Sequence, residues 1–234
     1  VALVFDLGCY NLLLLNDPVQ IENVDILISE STYGNRHHED ARNEGEDLRA
    51  AVTRTLARGG KVLIPTFALG RAQEIIYLLA QLRERGDIPD VPVYLDSPMA
   101  QAISRVFENS KTYLDEDYHA LRKRMGSIMT AKWLTFTESV EESKAITSSD
   151  KPSIVLAASG MCEHGRILHH LKHGIENELN IVLLVGYQAV HTLGRRLQNG
   201  DKTVRIFGDE FAVKAEVESL HSFSAHADRT ELLR

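Results

Sequence analysis

From residue 45 onward the chain alternates short, continuously apolar runs with longer stretches of helical periodicity, and that rhythm restricts the fold more than any other feature. The runs Lys61–Phe67, Pro92–Asp96, Trp133–Thr137, Ser153–Ala157 and Asn180–Gly186 are rich in Val, Ile and Leu and lack clean polar alternation. A strand that is apolar on both faces must be covered on both, which is the habit of parallel sheets flanked by helices. The expected class is therefore α/β with a mainly parallel sheet. Between the runs, residues 69–84 place Leu69, Ala72, Ile75, Ile76, Leu79 and Leu82 at three-and-four spacing, and Gly86 stops that helix. Ser97 and Pro98 open a second helix over 98–109, Ser139 with Glu142 makes a capping box for a third over 140–148, and a fourth runs from about Met161 to His173.

The two ends depart from this pattern. Ala2–Phe5 and Asp25–Ser29 read as strands joined through Asn16-Asp17-Pro18, and 203–224 reads as a β-hairpin turning at Gly208-Asp209. β structure on both sides of an α/β middle points to a domain inserted into a different, β-rich one. Cys9 and Cys162 lie far apart and outside any C-x-x-C pair. Neither a disulfide framework nor a cysteine-based zinc knuckle is indicated, and the cytoplasmic compartment is expected. Apolar runs such as Ile181–Val185 are too short to span a bilayer, so no membrane partner is expected.

Charge excludes one class of partner-binding device. The net −7 lies wholly in the first fifty residues, which hold ten acids against three arginines, and the rest of the chain is balanced. A polybasic tail or a wholly basic nucleic-acid module is ruled out, so a nucleic acid would have to meet a local groove. Residues 151–208, with seven basic and four acidic side chains, are the mildly basic stretch that suits one. The P-loop, G-x-G-x-x-G, G-x-S-x-G and H-E-x-x-H patterns are all absent. His164, His169, His170 and His173 spread around one expected helix and cannot all converge on an ion, so they read as solvated or groove-lining.

Three stretches combine unusual residue types with strand ends. Phe5-Asp6-Leu7-Gly8 puts a carboxylate after an apolar strand, Ser29-Glu30-Ser31-Thr32-Tyr33-Gly34 does the same after Ile26-Leu27-Ile28, and Ser222-Phe223-Ser224-Ala225-His226-Ala227-Asp228 places a histidine near the chain end. Taken singly, Asp6 and Glu30 could be turn caps and His226 a hydrogen-bonded loop residue. Ser159-Gly160, at the end of a strand and the start of the fourth helix, is either a tight turn or a phosphate seat. Arg71 and Arg166, beside glycines early in helices, could bind phosphate or pair with acids. His119 to Arg124 reads as a solvated helix face, and Glu39 to Asp47 as a solvated helix start.

In order, these stretches resemble the β-CASP group of the metallo-β-lactamase superfamily, of the RNA-processing ribonuclease type. Asp6-Leu7-Gly8 is similar to the superfamily's fourth motif, Glu30 to motif A and His226 to motif B, while Pro65–Glu74 and Ala158–Met161 with Gly165-Arg166 resemble stretches within the cassette. The resemblance implies a β-CASP domain over 35–221 inserted into a metallo-β-lactamase αββα fold, of which 1–34 and 222–234 are edge pieces. It implies two Zn2+ in the intact enzyme with Asp6 as a ligand, and RNA as the substrate, cleaved by endo- or 5′-to-3′ exonuclease action. His226, held by Glu30, would act on the leaving oxygen, with Ser159, Gly160, Arg71 and Arg166 toward the substrate. The other zinc ligands of the family are not found in 1–234, so this segment alone is expected neither to hold zinc tightly nor to cleave RNA. A non-catalytic RNA-binding subunit and a doubly wound ligand-binding domain are the competing readings, and a homo-oligomer stays open.

Overall fold

The computed structural model describes residues 1–5, 7–10, 12–35, 37, 44–220 and 226–234. At its centre is a six-stranded, wholly parallel sheet made of β3 (Lys61–Pro65), β4 (Val93–Leu95), β5 (Leu134–Phe136), β6 (Ser153–Ala157), β7 (Ile181–Leu184) and β10 (Glu216–Ser219). Its spatial order is β10-β7-β3-β6-β4-β5, so the chain runs from β3 outward to β5, returns to place β6, and then crosses to the other side. Such a reversal opens a crevice at the carboxyl ends of the strands, where ligands bind in open α/β sheets.

The unbroken apolar runs divide between two cores because successive side chains point to opposite faces of the pleat. Val62 and Ile64 of β3, Ile154 and Leu156 of β6, and Ile181 and Leu183 of β7 enter one core. That core is completed by α1 (Glu44–Ala57), α2 (Arg71–Arg85), α3 (Pro98–Asn109) and α4 (Glu116–Met125). Leu63, Val155, Ala157, Val182 and Leu184 enter the second, under α5 (Val140–Ser148), α6 (Ile167–Gly174) and α7 (Leu193–Gln198).

Helix boundaries follow the expected signals. Ser97 caps α3 by accepting from the Ala100 amide, and the Ser139–Glu142 capping box opens α5. Gly86 ends α2 in the left-handed conformation, at φ 74°, where an L side chain would be strained. Two expectations need correction. The fourth helix starts at Ile167 rather than near Met161, because residues 160–166 form a compact turn in which Cys162 and Gly165 take positive φ. The hairpin covers only β8 (Thr203–Ile206) and β9 (Asp209–Ala212), with Phe207-Gly208 as its two-residue loop at φ 53° and 89°. Beyond it, the Lys214 and Ala215 amides bond the Ile175 carbonyl and steer the chain back to the sheet. There β10 pairs in parallel with β7.

Near the start of the chain, β1 (Ala2–Val4) and β2 (Leu27–Ser29) make a separate two-stranded parallel ladder. The last helix, α8 (Arg229–Leu232), is opened by an Asp228–Glu231 capping box. No helix among the described residues is long and apolar enough to cross a membrane.

Candidate active site

Glu30 is the first residue after β2, and its amide bonds the Val4 carbonyl at 3.1 Å, so the β1–β2 ladder sets its position. Its side chain, 6% exposed, accepts from the Leu7 amide at 2.8 Å, the Thr32 hydroxyl at 2.7 Å and His226 Nδ1 at 2.7 Å. A carboxylate so withdrawn from water needs donors of this kind to stay ionised. Ionised, it selects the His226 tautomer with the proton on Nδ1 and fixes the plane of the ring. Tyr33 stands edge-on to the imidazole, 6.1 Å between centroids. A parallel bridge between Tyr33 and Asp228 lays the two motif segments side by side.

The turn after β1 supports the same pair from below. Cys9 Sγ donates to the His226 carbonyl at 2.8 Å, and the Tyr10 amide donates to Glu231 at 2.8 Å. Burial, with Glu231 beside it, pushes the Cys9 thiol well above its ordinary value, so it stays a protonated donor. The side chain of His226 itself is 41% exposed, which suits a group that must meet a substrate.

The structure thus brings Glu30 and His226 together across 196 residues of sequence. Asp6, the expected metal ligand, lies outside the described residues, as does the 222–225 part of the last motif and the 39–43 part of the expected helix start. The remaining candidates belong to the parallel sheet and its helices. Ser159 and Gly160 follow β6 at the carboxyl edge of the sheet, but the Ser159 hydroxyl accepts from the Glu163 and His164 amides. With the helix displaced to Ile167, these two residues do not form a helix N-terminus. Gly160 is required by close packing, since a Cβ there would lie 2.7 Å from the Phe67 ring. Arg71 pairs with Glu74 in α2, both side chains nearly buried. Arg166 donates to Asp96 at 2.6 Å and to the carbonyls of Thr137 and Glu138.

That last contact belongs to a network that sequence reading did not anticipate. Asp96, fully buried at the end of β4, also accepts from His170 Nε2 at 2.7 Å and from the Ser143 hydroxyl at 2.6 Å. Burial works to raise the Asp96 carboxyl, but the bonds from His170, Ser143 and Arg166 outweigh it and hold it below its ordinary value. His170 is therefore neither solvated nor groove-lining; it is 3% exposed and ties α6 to β4. An acid directly after the apolar Val93–Leu95 run was the one available signal.

Among the described residues there is no group of three or more His, Cys, Asp or Glu able to take an ion. Asp228 and Glu231, the acids nearest His226 in sequence, are occupied in capping α8. The donor set described here does not fit a zinc pair.

Known families and proteins match this sequence. The Beta-Casp domain family matches residues 72–197, more than half of the chain. The chain belongs to the β-CASP family. A second family, the Zn-dependent metallo-hydrolase RNA specificity domain, matches residues 210–234, the segment carrying His226. Among curated proteins, the chain is 40% identical over 228 residues to Ribonuclease TTHA0252 of Thermus thermophilus, covering 97% of this chain and 52% of that protein. It is 32% identical to an RNase J-like protein of Methanocaldococcus jannaschii, covering 94% and 51%. To transcription termination factor FttA of Methanosarcina mazei it is 34% identical, covering 94% and 36%. This β-CASP chain therefore spans about half the length of the two RNase-type relatives and less of the third.

Proposed function

We propose that the whole protein hydrolyses phosphodiester bonds in RNA, and that this chain supplies the RNA-facing cap and the His226–Glu30 pair. The pair is the observation that carries the reading: a histidine oriented by a nearly buried carboxylate 2.7 Å away and open to solvent on its own side. Glu30 keeps Nδ1 protonated and stabilises the imidazolium, so the ring works through Nε2. Protonated, it can donate to the oxygen leaving phosphorus or clamp a phosphate oxygen. The names of the relatives support RNA as the substrate. The description of the C-terminal family supports zinc dependence; two zinc ions in the whole protein, with Asp6 as this chain's contribution, are part of the proposal. No proton step above depends on that metal.

The test is cleavage of 5′-labelled single-stranded RNA by the full-length protein supplied with zinc, on 5′-phosphate and 5′-hydroxyl substrates. Internal products indicate endonuclease action, and mononucleotides released only from the 5′-phosphate strand indicate a 5′-to-3′ exonuclease. Intact RNA in both lanes defeats the reading.

A further inference from the structure

The carboxyl edge of the six-stranded sheet carries two aromatic side chains that neither core uses. Phe67, just past β3, is 39% exposed, and Tyr187, just past β7, is 54% exposed. β3 and β7 are neighbours in the sheet, so the two rings rise from adjacent strand ends. Phe67 sits against glycines. A Cβ on Gly160 would lie 2.7 Å from its ring and one on Gly186, the residue before Tyr187, 3.4 Å from it. Lacking side chains, both glycines let the backbone approach the Phe67 ring closely. Tyr187 is braced differently, with the Arg195 guanidinium 5.7 Å from its ring centre. That guanidinium is fixed in turn by donation from Nε to the Gln188 carbonyl at 2.8 Å.

Arg195 places one guanidinium beside the Tyr187 ring. The loops after β6 and β7 are tied by bonds from the Leu193 amide to Glu163 and from the Gly194 amide to the Met161 carbonyl. On them His164 and His191 are exposed, and His191 lies four positions before Arg195. The Leu220 amide bonds the Leu184 carbonyl at the end of β7, and His226 lies six positions further along the chain, a reach of at most about 22 Å.

We propose that Phe67 and Tyr187 are a base-stacking platform for single-stranded RNA on its way to His226. Each base presents a π face that an aromatic ring can hold whatever the sequence, with cationic side chains taking the backbone. Paired bases have both faces covered by their neighbours, so the platform selects unpaired strands. The inference rests on the ribonuclease reading and adds to it the residues that recognise the bases.

Binding by the full-length protein should be compared for two single-stranded RNAs, one natural and one with abasic sites over the stretch nearest the cleavage point. The wild type should hold the natural strand tighter by about tenfold or more, since stacking contributes roughly 1–3 kcal/mol per base. Phe67→Ala should bind both strands alike, Phe67→Leu likewise, and Phe67→Trp should restore the preference. If Phe67→Ala unfolds, Tyr187→Ala, at a more exposed position, makes the same comparison. Undiminished preference in these variants overturns the platform, whether the rings serve a protein partner or packing alone, while leaving the ribonuclease reading intact. A wild type that neither binds nor cleaves either strand overturns that reading as well.

Discussion

The six-stranded sheet and the β1–β2 ladder are both short parallel ladders of apolar residues, yet they are held in place by different forces. In β3, β6 and β7 nearly every apolar side chain is buried, and the sheet carries its own core on both faces. In β1–β2, Leu3, Leu27 and Ile28 are 58%, 53% and 58% exposed. The ladder's place near the chain end is set instead by polar ties: Glu30 to Leu7, Thr32 and His226, Tyr10 to Glu231, and Tyr33 beside Asp228. The cassette is a scaffold stabilised by area, and the Glu30–His226 pair is positioned by a few directional bonds. Substitutions should therefore separate stability from chemistry between the two regions.

The largest effect is expected at the pair. His226→Ala in the full-length protein should slow RNA cleavage by roughly 100- to 10,000-fold, while its zinc content and melting temperature stay close to wild type. Equal loss of zinc and of activity would mean that His226 is a ligand rather than a proton carrier. Asp96→Asn should cost about 3–5 kcal/mol, because Arg166 and His170 would lose the charge they surround. Urea unfolding measures it.

That contribution also has a pH signature. The Asp96 carboxyl is depressed in the fold below its ordinary value of 3.8, so the unfolded chain takes up the proton first. Its stabilisation is full above that value and is lost as pH falls toward the folded one. The gap between wild type and Asp96→Asn should accordingly narrow in acid; a constant gap would break the assignment.

Leu156→Ala, in β6 and fully buried, should cost about 2–5 kcal/mol. Leu27→Ala in the exposed ladder should cost about 0.5 kcal/mol or less. Similar losses at the two positions would erase the contrast between the regions. Ser139→Ala removes one half of the α5 capping box and should cost about 1 kcal/mol.

The parts of the fold that were legible in the sequence are those governed by local rules. Ser153–Ala157 is a strand with the boundaries its apolar run suggested, and the capped helices 98–109 and 140–148 match the structure residue for residue. Where the reading missed, non-local contacts decided. Glu216–Ser219 alternates as a hairpin arm would, and only the neighbouring β7 makes it a parallel edge strand. The turn at 160–166 delays α6 because Ser159 bonds within it, which apolar periodicity does not register. His170 looked like its solvated neighbours until β4 brought Asp96 beneath it.

By itself, then, the sequence determined the α/β class, the strand and helix frame of the cassette, and the residue types that mark the β-CASP family, because periodicity, capping and short motifs are properties of nearby residues. Only the tertiary structure decided that a carboxylate at position 30 and an imidazole at position 226 meet at 2.7 Å. It also decided that Asp96 anchors Arg166 and His170 inside the protein, and that Phe67 and Tyr187 emerge on adjacent strand ends. Pairings across such separations depend on where the strands lie in the sheet, and that order follows from packing the whole chain at once.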